Sequence, residues 1–196
     1  AKGRSMPRES DAFWESLDEL LPSIRYLEFT GGEPFMIKKF AKMLSEIENT
    51  DCEIVVNTNA TIVTKPLFEQ LKRFKNVWIV VSVDGYGELN DRIREGSNWN
   101  TVVKTMKMFM DNGLNVLVNT VLQRDNVNHL YELGHFLESM GIDDWIISPL
   151  FFPNELKWET QENINYAGLE KASQLNSVQR NENSLTLLQH ILKEKP

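Results

Sequence analysis

Five short stretches of the chain alternate apolar and polar residues or run β-branched, as strands do. They fall at 25–30, 52–57, 77–83, 114–121 and 145–150. Between them, apolar residues recur every three or four positions, as on one face of a helix. Phe35, Phe40, Met43, Leu44 and Ile47 predict a helix reaching 48. Leu67, Phe68, Leu71 and Phe74 predict the next, with Thr64 as its cap and Pro66 near its start. Trp99, Val102, Val103, Met106, Phe109 and Met110 predict a third over 98–112, stopped by Gly113. A fourth ends at Met140 and Gly141, with Asn126 or Asn128 as its cap. Ahead of the strands, Ser10 as cap with Phe13, Trp14, Leu17, Leu20, Leu21 and Ile24 predicts a helix over 7–24. The segment holding Asn90, Asp91, Arg92, Arg94 and Glu95 reads as a long polar loop. Past Pro153 the chain turns rich in Asn, Gln, Glu and Ser, with weaker helical patterns around 166–178 and 185–192.

Strands alternating with helices predict an α/β fold with a parallel sheet and right-handed crossovers. A closed eight-stranded barrel takes about 250 residues, so five strands in 196 residues leave two architectures. One is an open, partial TIM-like barrel of β/α units; the other is a flat doubly wound sheet. Residues 1–153 are assigned to this unit and 154–196 to a helical extension, or to the start of a second module. The chain begins at Ala1 rather than Met and stops at Pro196, which reads as a piece of a longer parent.

Composition narrows the partners. A formal charge of -7 argues against an extended nucleic-acid footprint. No apolar run approaches the roughly 20 residues that span a bilayer. The single cysteine, Cys52, excludes an internal disulfide, fits a cytoplasmic setting, and leaves no self-contained cysteine-ligated metal or iron–sulfur site.

In a parallel β/α array the carboxyl ends of the strands share one rim, where such folds place their ligands. After the first strand come Gly31, Gly32, Glu33 and Pro34; paired glycines permit a tight turn and a close backbone approach. The other strand ends bring Asn57, Asn59, Ser82, Asp84, Asn119 and Ser148 to that rim, with Arg94 above it. No histidine joins them: His129, His135 and His190 fall in predicted helices, against a Ser–His–Asp hydrolase. No Gly-x-Gly-x-x-Gly or P-loop motif follows a strand. The set suits a small zwitterionic ligand bearing a ribose. Glu33 or backbone carbonyls would hold an ammonium, Arg94 a carboxylate, and Ser82, Asn57 and Asn119 hydroxyls.

With those residues in view, the chain resembles the radical S-adenosylmethionine (radical SAM) superfamily over 26–150. Gly31-Gly32-Glu33-Pro34 matches the family's second-strand motif. Asn57-Thr58-Asn59-Ala60-Thr61 is similar to its Thr-Asn-Gly turn, with Ala60 in place of glycine. Ser82-Val83-Asp84-Gly85 matches its Ser-x-Asp-Gly, and Asp91-Arg92-Ile93-Arg94 resembles the Asp-x-x-Arg that follows. Asn119 and Ser148-Pro149-Leu150 then sit where strands five and six would end. The resemblance is to members with SPASM or twitch extensions, which modify peptides or proteins or assist cofactor synthesis.

The resemblance implies a curved partial barrel whose first strand is missing here. It implies that the Gly-Gly-Glu turn binds the methionine amino group of SAM through its backbone. Ser82 and Arg94 become candidates for its carboxylate or ribose, and the fifth and sixth strands flank its adenine. It also implies a 4Fe-4S cluster, which cleaves SAM to a 5′-deoxyadenosyl radical that abstracts a substrate hydrogen, here from a peptide or protein. That cluster sits on Cys-x3-Cys-x2-Cys after the first strand, and nothing before Cys52 supplies it. An unpaired first edge, 25–30, further invites association with another chain. Two rivals remain on the residues alone. One is a scaffold that has lost the cluster and acts as a binding module; the other is a lyase or aldolase using Glu33 or Asp84 as base.

Overall fold

The computed structural model of the chain describes residues 15–17, 19–151, 157–158 and 163–193. Its five strands are β1 (Tyr26–Phe29), β2 (Glu53–Thr58), β3 (Asn76–Ser82), β4 (Asn115–Leu122) and β5 (Asp144–Pro149). They form one parallel sheet in sequence order, β1-β2-β3-β4-β5. Each lies within one residue of its expected limits at either end.

Side-chain alternation decides between the two architectures. Ile54, Val56, Ile79, Val81 and Val118 are wholly buried on one face. Their neighbours Val55, Trp78, Val80, Leu117, Asn119 and Ile146 are only half-buried on the other. A doubly wound sheet covers both faces and reverses its strand order midway. Here helices seal one face, the order never reverses, and the second face stays open, as in a partial barrel.

The covering helices are α1 (Lys38–Glu46), α2 (Lys65–Leu71), α3 (Glu88–Ile93), α4 (Trp99–Asp111) and α5 (Leu130–Ser139). Phe40, Met43 and Leu44 of α1, Leu67 and Leu71 of α2, and Met106 and Phe109 of α4 meet the buried strand residues in one core. Full burial of each such side chain stabilises the fold by roughly 1.5–3 kcal/mol. A buried polar chain pins three strand ends: Trp145 Nε1 donates to Thr120 Oγ1 at 2.8 Å, and Thr120 Oγ1 donates to the Val83 carbonyl at 2.6 Å. On α5, a Cβ at Gly134 would lie 2.4 Å from both Trp145 and Leu175, so glycine is what lets that helix settle onto β5.

Three further helices, α6 (Tyr166–Ser173), α7 (Asn176–Gln179) and α8 (Glu182–Lys193), complete the described chain. They cover the outer edge of β5. Ser184 Oγ, fully buried, accepts the Ile147 amide at 2.8 Å and donates to Asn181 Oδ1 at 2.9 Å. The outer edge of β1 pairs with no other strand among the described residues.

The structure corrects several local expectations. The polar segment after Gly85 is not a loop, for Glu88–Ile93 is helical. Its polar residues look unhelical in sequence, but Asn90 is buried and its amide is satisfied on both sides. Asn90 Oδ1 accepts from Asp84 N at 3.0 Å and its Nδ2 donates to Ser97 Oγ at 3.0 Å. The helix expected from Phe35 breaks at the extended Ile37, between a 3₁₀ turn (Pro34–Met36) and α1. Thr64 stands at the start of α2 without capping it; its hydroxyl reaches the Phe35 carbonyl at 3.5 Å. Neither Asn126 nor Asn128 caps α5, which follows a 3₁₀ turn (Val127–His129). Asn128 instead ties down the later chain, donating to the Asn163 carbonyl at 2.8 Å and accepting from Asn165 N at 2.7 Å. Of the first predicted helix, 15–17 is helical and Leu21–Ser23 is a 3₁₀ turn; Ser10, Phe13 and Trp14 lie outside the described residues.

Candidate functional site

The turn after β1 is built on two consecutive left-handed residues, Gly31 at φ +80° and Gly32 at φ +61°. A side chain at either would pay for that conformation. Glu33 then swings its carboxylate sideways into the turn after β2. Its Oε1 accepts from Thr58 Oγ1 at 2.8 Å and Phe35 N at 3.2 Å, and its Oε2 accepts from Asn59 N at 3.0 Å. The carboxylate is therefore occupied in joining two strand ends. The β2 turn is closed from within as well: Asn59 Oδ1 accepts from Thr61 N and Thr61 Oγ1, at 2.9 and 2.7 Å. At its tip Ala60, fully buried, holds φ +56°.

After β3, Asp84 is the centre of a second cluster. Its side chain is 6% exposed and pairs with Arg94, whose Nη1 donates to Asp84 Oδ2 at 2.6 Å. Asp84 Oδ1 accepts from Val121 N at 2.7 Å, which ties in β4. Asn126 fixes the backbone: its Nδ2 donates to the carbonyls of Asp84 and Val121, both at 2.9 Å, and its Oδ1 accepts from Gln123 N at 2.9 Å. The expected helix cap is thus a buried bracket between two strand ends.

Between these clusters the rim holds a cavity of about 450 Å³. Asn59 and Thr61 form its wall at β2, Asp84 and Arg94 at β3, Val121 and Gln123 at β4, and Leu150 after β5. Ile93, Gly96 and Ser97 line it from the segment that ends α3. Parallel strands lie about 4.8 Å apart, so the walls from β2 to β5 span roughly 14 Å.

The sequence-derived candidates thus separate into three places. Asn59, Asp84 and Arg94 line the cavity. Gly31, Gly32, Glu33 and Pro34 form the adjoining turn, joined to Asn59 through Glu33. Asn57, Ser82, Asn119 and Ser148 project from the half-buried sheet face below it. On that face Ser82 is level with Asn119 in the β3–β4 register, and Ser148 Oγ donates to Asn119 Oδ1 at 3.4 Å. Asn57 Nδ2 donates to Glu28 Oε1 at 3.1 Å and to the Phe29 carbonyl at 3.3 Å. Tyr26 donates to Glu28 Oε2 at 2.8 Å, and that bond is the main cause holding the Tyr26 phenol above its usual pKa. Thr61 and Leu150 stood only inside the motifs that carry the family resemblance, without a site role of their own; Ser97 and Gln123 were not singled out from sequence, and the only signal for Gln123 was its place just past a strand.

No group of three or more His, Cys, Asp or Glu suited to a metal ion occurs among the described residues. Cys52 is fully buried at the amino-end entrance to β2, opposite the rim. Burial, then the nearby Glu53, push its thiol pKa up. No helix among the described residues is long and apolar enough to cross a membrane.

A family model described as the radical SAM superfamily matches residues 2–137. The chain is 25% identical over 116 residues to an Fe-coproporphyrin III synthase of Methanosarcina barkeri, covering 58% of this chain and 29% of that protein. It is 30% identical over 118 residues to AlbA of Bacillus subtilis, an antilisterial bacteriocin subtilosin biosynthesis protein, covering 58% of this chain and 26% of that one. The chain therefore spans less than a third of the length of either relative. Among solved structures, Streptococcus suis SuiB bound to S-adenosylmethionine superposes with a TM-score of 0.57 at 21% identity, over 75% of this chain and 33% of that one. SuiB bound to its precursor peptide SuiA superposes with a TM-score of 0.58. These likenesses establish the fold as the partial barrel.

Proposed function

Because the chain belongs to the radical SAM superfamily, we propose that its rim cavity binds S-adenosylmethionine and that it is the barrel part of an enzyme acting on a peptide or protein. One observation carries the reading: a buried carboxylate, Asp84, holds Arg94 at the wall of a cavity of about 450 Å³. Arg94 spends Nη1 on Asp84, and its guanidinium makes no other hydrogen bond among the described residues. Its remaining donors suit the ligand's carboxylate. With the Glu33 carboxylate occupied, the Gly31–Gly32 backbone is the better candidate for the ammonium. Asn57, Ser82, Asn119 and Ser148 would face ligand or substrate from the sheet below.

The family binds a 4Fe-4S cluster together with SAM, and this chain does not fit the cluster. One thiol, buried and kept protonated at the wrong end of the barrel, is no ligand set. The reading therefore places the cluster's ligands outside these 196 residues and confines this chain to binding and orienting SAM. The peptide substrate is supported by the likeness to SuiB with its precursor peptide and to AlbA. The reading also assigns 1–153 to the barrel and 154–196 to an extension on its last strand, which the Ser184–Ile147 contact supports. It further assigns the open edge of β1 to contact with another chain. Equilibrium binding of SAM to the 196-residue chain, by calorimetry, tests the central claim; no binding at millimolar ligand sinks it.

The single buried cysteine favours a second reading, a scaffold that binds at its rim without radical chemistry. Production of 5′-deoxyadenosine by the full-length gene product under reducing conditions would exclude it.

A further inference from the structure

Two asparagines, Asn90 and Asn126, are buried to 0% and 1% exposure, and they converge on one residue from opposite sides. The ladder between β3 and β4 gives out just before that residue: Val83 N donates to the Asn119 carbonyl at 3.0 Å. The backbone groups of Asp84 are taken by side-chain amides instead. Asn90 Oδ1, on α3, accepts from Asp84 N at 3.0 Å. Asn126 Nδ2, after β4, donates to the Asp84 carbonyl at 2.9 Å. The peptide that carries the Asp84 carboxylate is therefore clamped on both faces by groups from two different elements.

The remaining bonds of the two amides also end at the cavity wall. Asn90 Nδ2 donates to Ser97 Oγ, Asn126 Nδ2 donates to the Val121 carbonyl, and Asn126 Oδ1 accepts from Gln123 N. Asp84, Ser97, Val121 and Gln123 all line the cavity, whereas neither asparagine does. Asn90 reaches the ion pair a second time, because its own carbonyl accepts from Arg94 N at 2.8 Å. One residue thus anchors the backbone on both sides of the Asp84–Arg94 pair. Buried amides with every bond made hold their surroundings in one arrangement. With its backbone clamped and Oδ1 fixed by Val121 N, Asp84 can present Oδ2, and so the Arg94 guanidinium, in one place only. A charged group that meets a ligand through directional bonds needs such support from behind.

We propose that Asn90 and Asn126 are positioning residues that act through Asp84 to aim the Arg94 guanidinium at the carboxylate of the bound ligand. This inference rests on the reading of the cavity as a SAM site. The experiment uses two stable probes, S-adenosylhomocysteine and 5′-methylthioadenosine, which lacks the amino-acid part. Calorimetry gives their affinities for the wild-type chain, Asn90→Ala, Asn126→Ala, Arg94→Ala and the double variant Asn126→Ala with Arg94→Ala. Thr120→Val is the structural control. It removes two buried hydrogen bonds beside the same strand end, to Val83 and Trp145, and none of these three residues lines the cavity.

The wild type should prefer S-adenosylhomocysteine by about tenfold or more, the scale of a charge-assisted hydrogen bond. Each asparagine variant should cut that preference by about fivefold or more while holding 5′-methylthioadenosine within about twofold. In the double variant the loss should stay within about twofold of Arg94→Ala alone, since residues that act through one another are not additive. Thr120→Val should lower the urea midpoint and leave the preference unchanged. Asparagine variants that weaken both probes alike, an additive double variant, or an equal loss of preference in Thr120→Val each overturn the proposal. Where an alanine variant does not fold, the serine variant at the same position carries the test; if no variant of either asparagine folds, their role belongs to the fold and the proposal fails. Equal wild-type affinities for the two probes remove Arg94 from the site and this inference with it. Failure of the wild type to bind either probe overturns the SAM reading itself.

Discussion

Arg94 and Asp84 form an ion pair of unequal partners: the carboxylate is 6% exposed and the guanidinium 29%. The buried partner is bonded a second time, by the Val121 amide. Both border the cavity, and the more exposed partner is the one with donors to spare.

Arg94→Ala is expected to lower SAM affinity by roughly tenfold or more, since a charge-assisted hydrogen bond contributes about 1.5–3 kcal/mol. Lys42→Ala is the control: Lys42 is exposed on α1 and pairs only with Glu46, at 3.5 Å. Calorimetry on both variants checks this, and equal affinities would remove Arg94 from the site.

Glu33→Ala is expected to cost stability before it costs affinity. The three donors that Glu33 satisfies, Thr58 Oγ1, Phe35 N and Asn59 N, all lose their partner. Each partly buried orphan costs about 1 kcal/mol at the low end of its range. A fall of about 2–4 kcal/mol in denaturant unfolding, with a smaller change in SAM affinity at low temperature, is the expected pattern. The reverse pattern would mean that the carboxylate itself meets the ligand.

Ala60 invites a gain. A left-handed alanine costs about 1–2 kcal/mol, and glycine there gives back about 0.5–1 through the freedom of the unfolded chain. Ala60→Gly should therefore be neutral to about 1 kcal/mol stabilising. Ala60→Val, β-branched and wholly buried at φ +56°, should be clearly destabilising. Thermal melts of the two variants distinguish the signs.

Reconstitution of the 196-residue chain with iron and sulfide should give no cluster absorption and no 5′-deoxyadenosine from SAM. Cys52 is the sole thiol, and its raised pKa keeps it from the thiolate state that ligates iron. Stoichiometric iron and sulfide bound to this chain would contradict the account of its ligands.

Much of this architecture was legible in advance because strand alternation and turn chemistry are local. Ile54-Val55-Val56 and Val77-Trp78-Ile79 announce strands whatever surrounds them, and Gly31-Gly32 announces a turn that only glycine makes easily. The site was legible in part. Asn59, Asp84 and Arg94 were named and do line one cavity, but Glu33 emerged as a strut between two turns. Helix α3 was hidden because Asn90 favours a helix only once Asp84 and Ser97 are there to bond it. Asn126 looked like a cap because its real partners lie on two strand ends brought together by folding. Gln123 gave no signal beyond its place just past a strand, since what its side chain meets is a property of its surroundings.

The contact between Ser184 and Ile147 gives the sheet a direction of growth. A strand arriving at β5 would have to evict a packed helix and replace the hydroxyl already bonded to that edge. A strand arriving at β1 displaces no strand among the described residues. Among the described residues the arc is thus one-ended, covered by helices at β5 and without a strand neighbour on the outer side of β1.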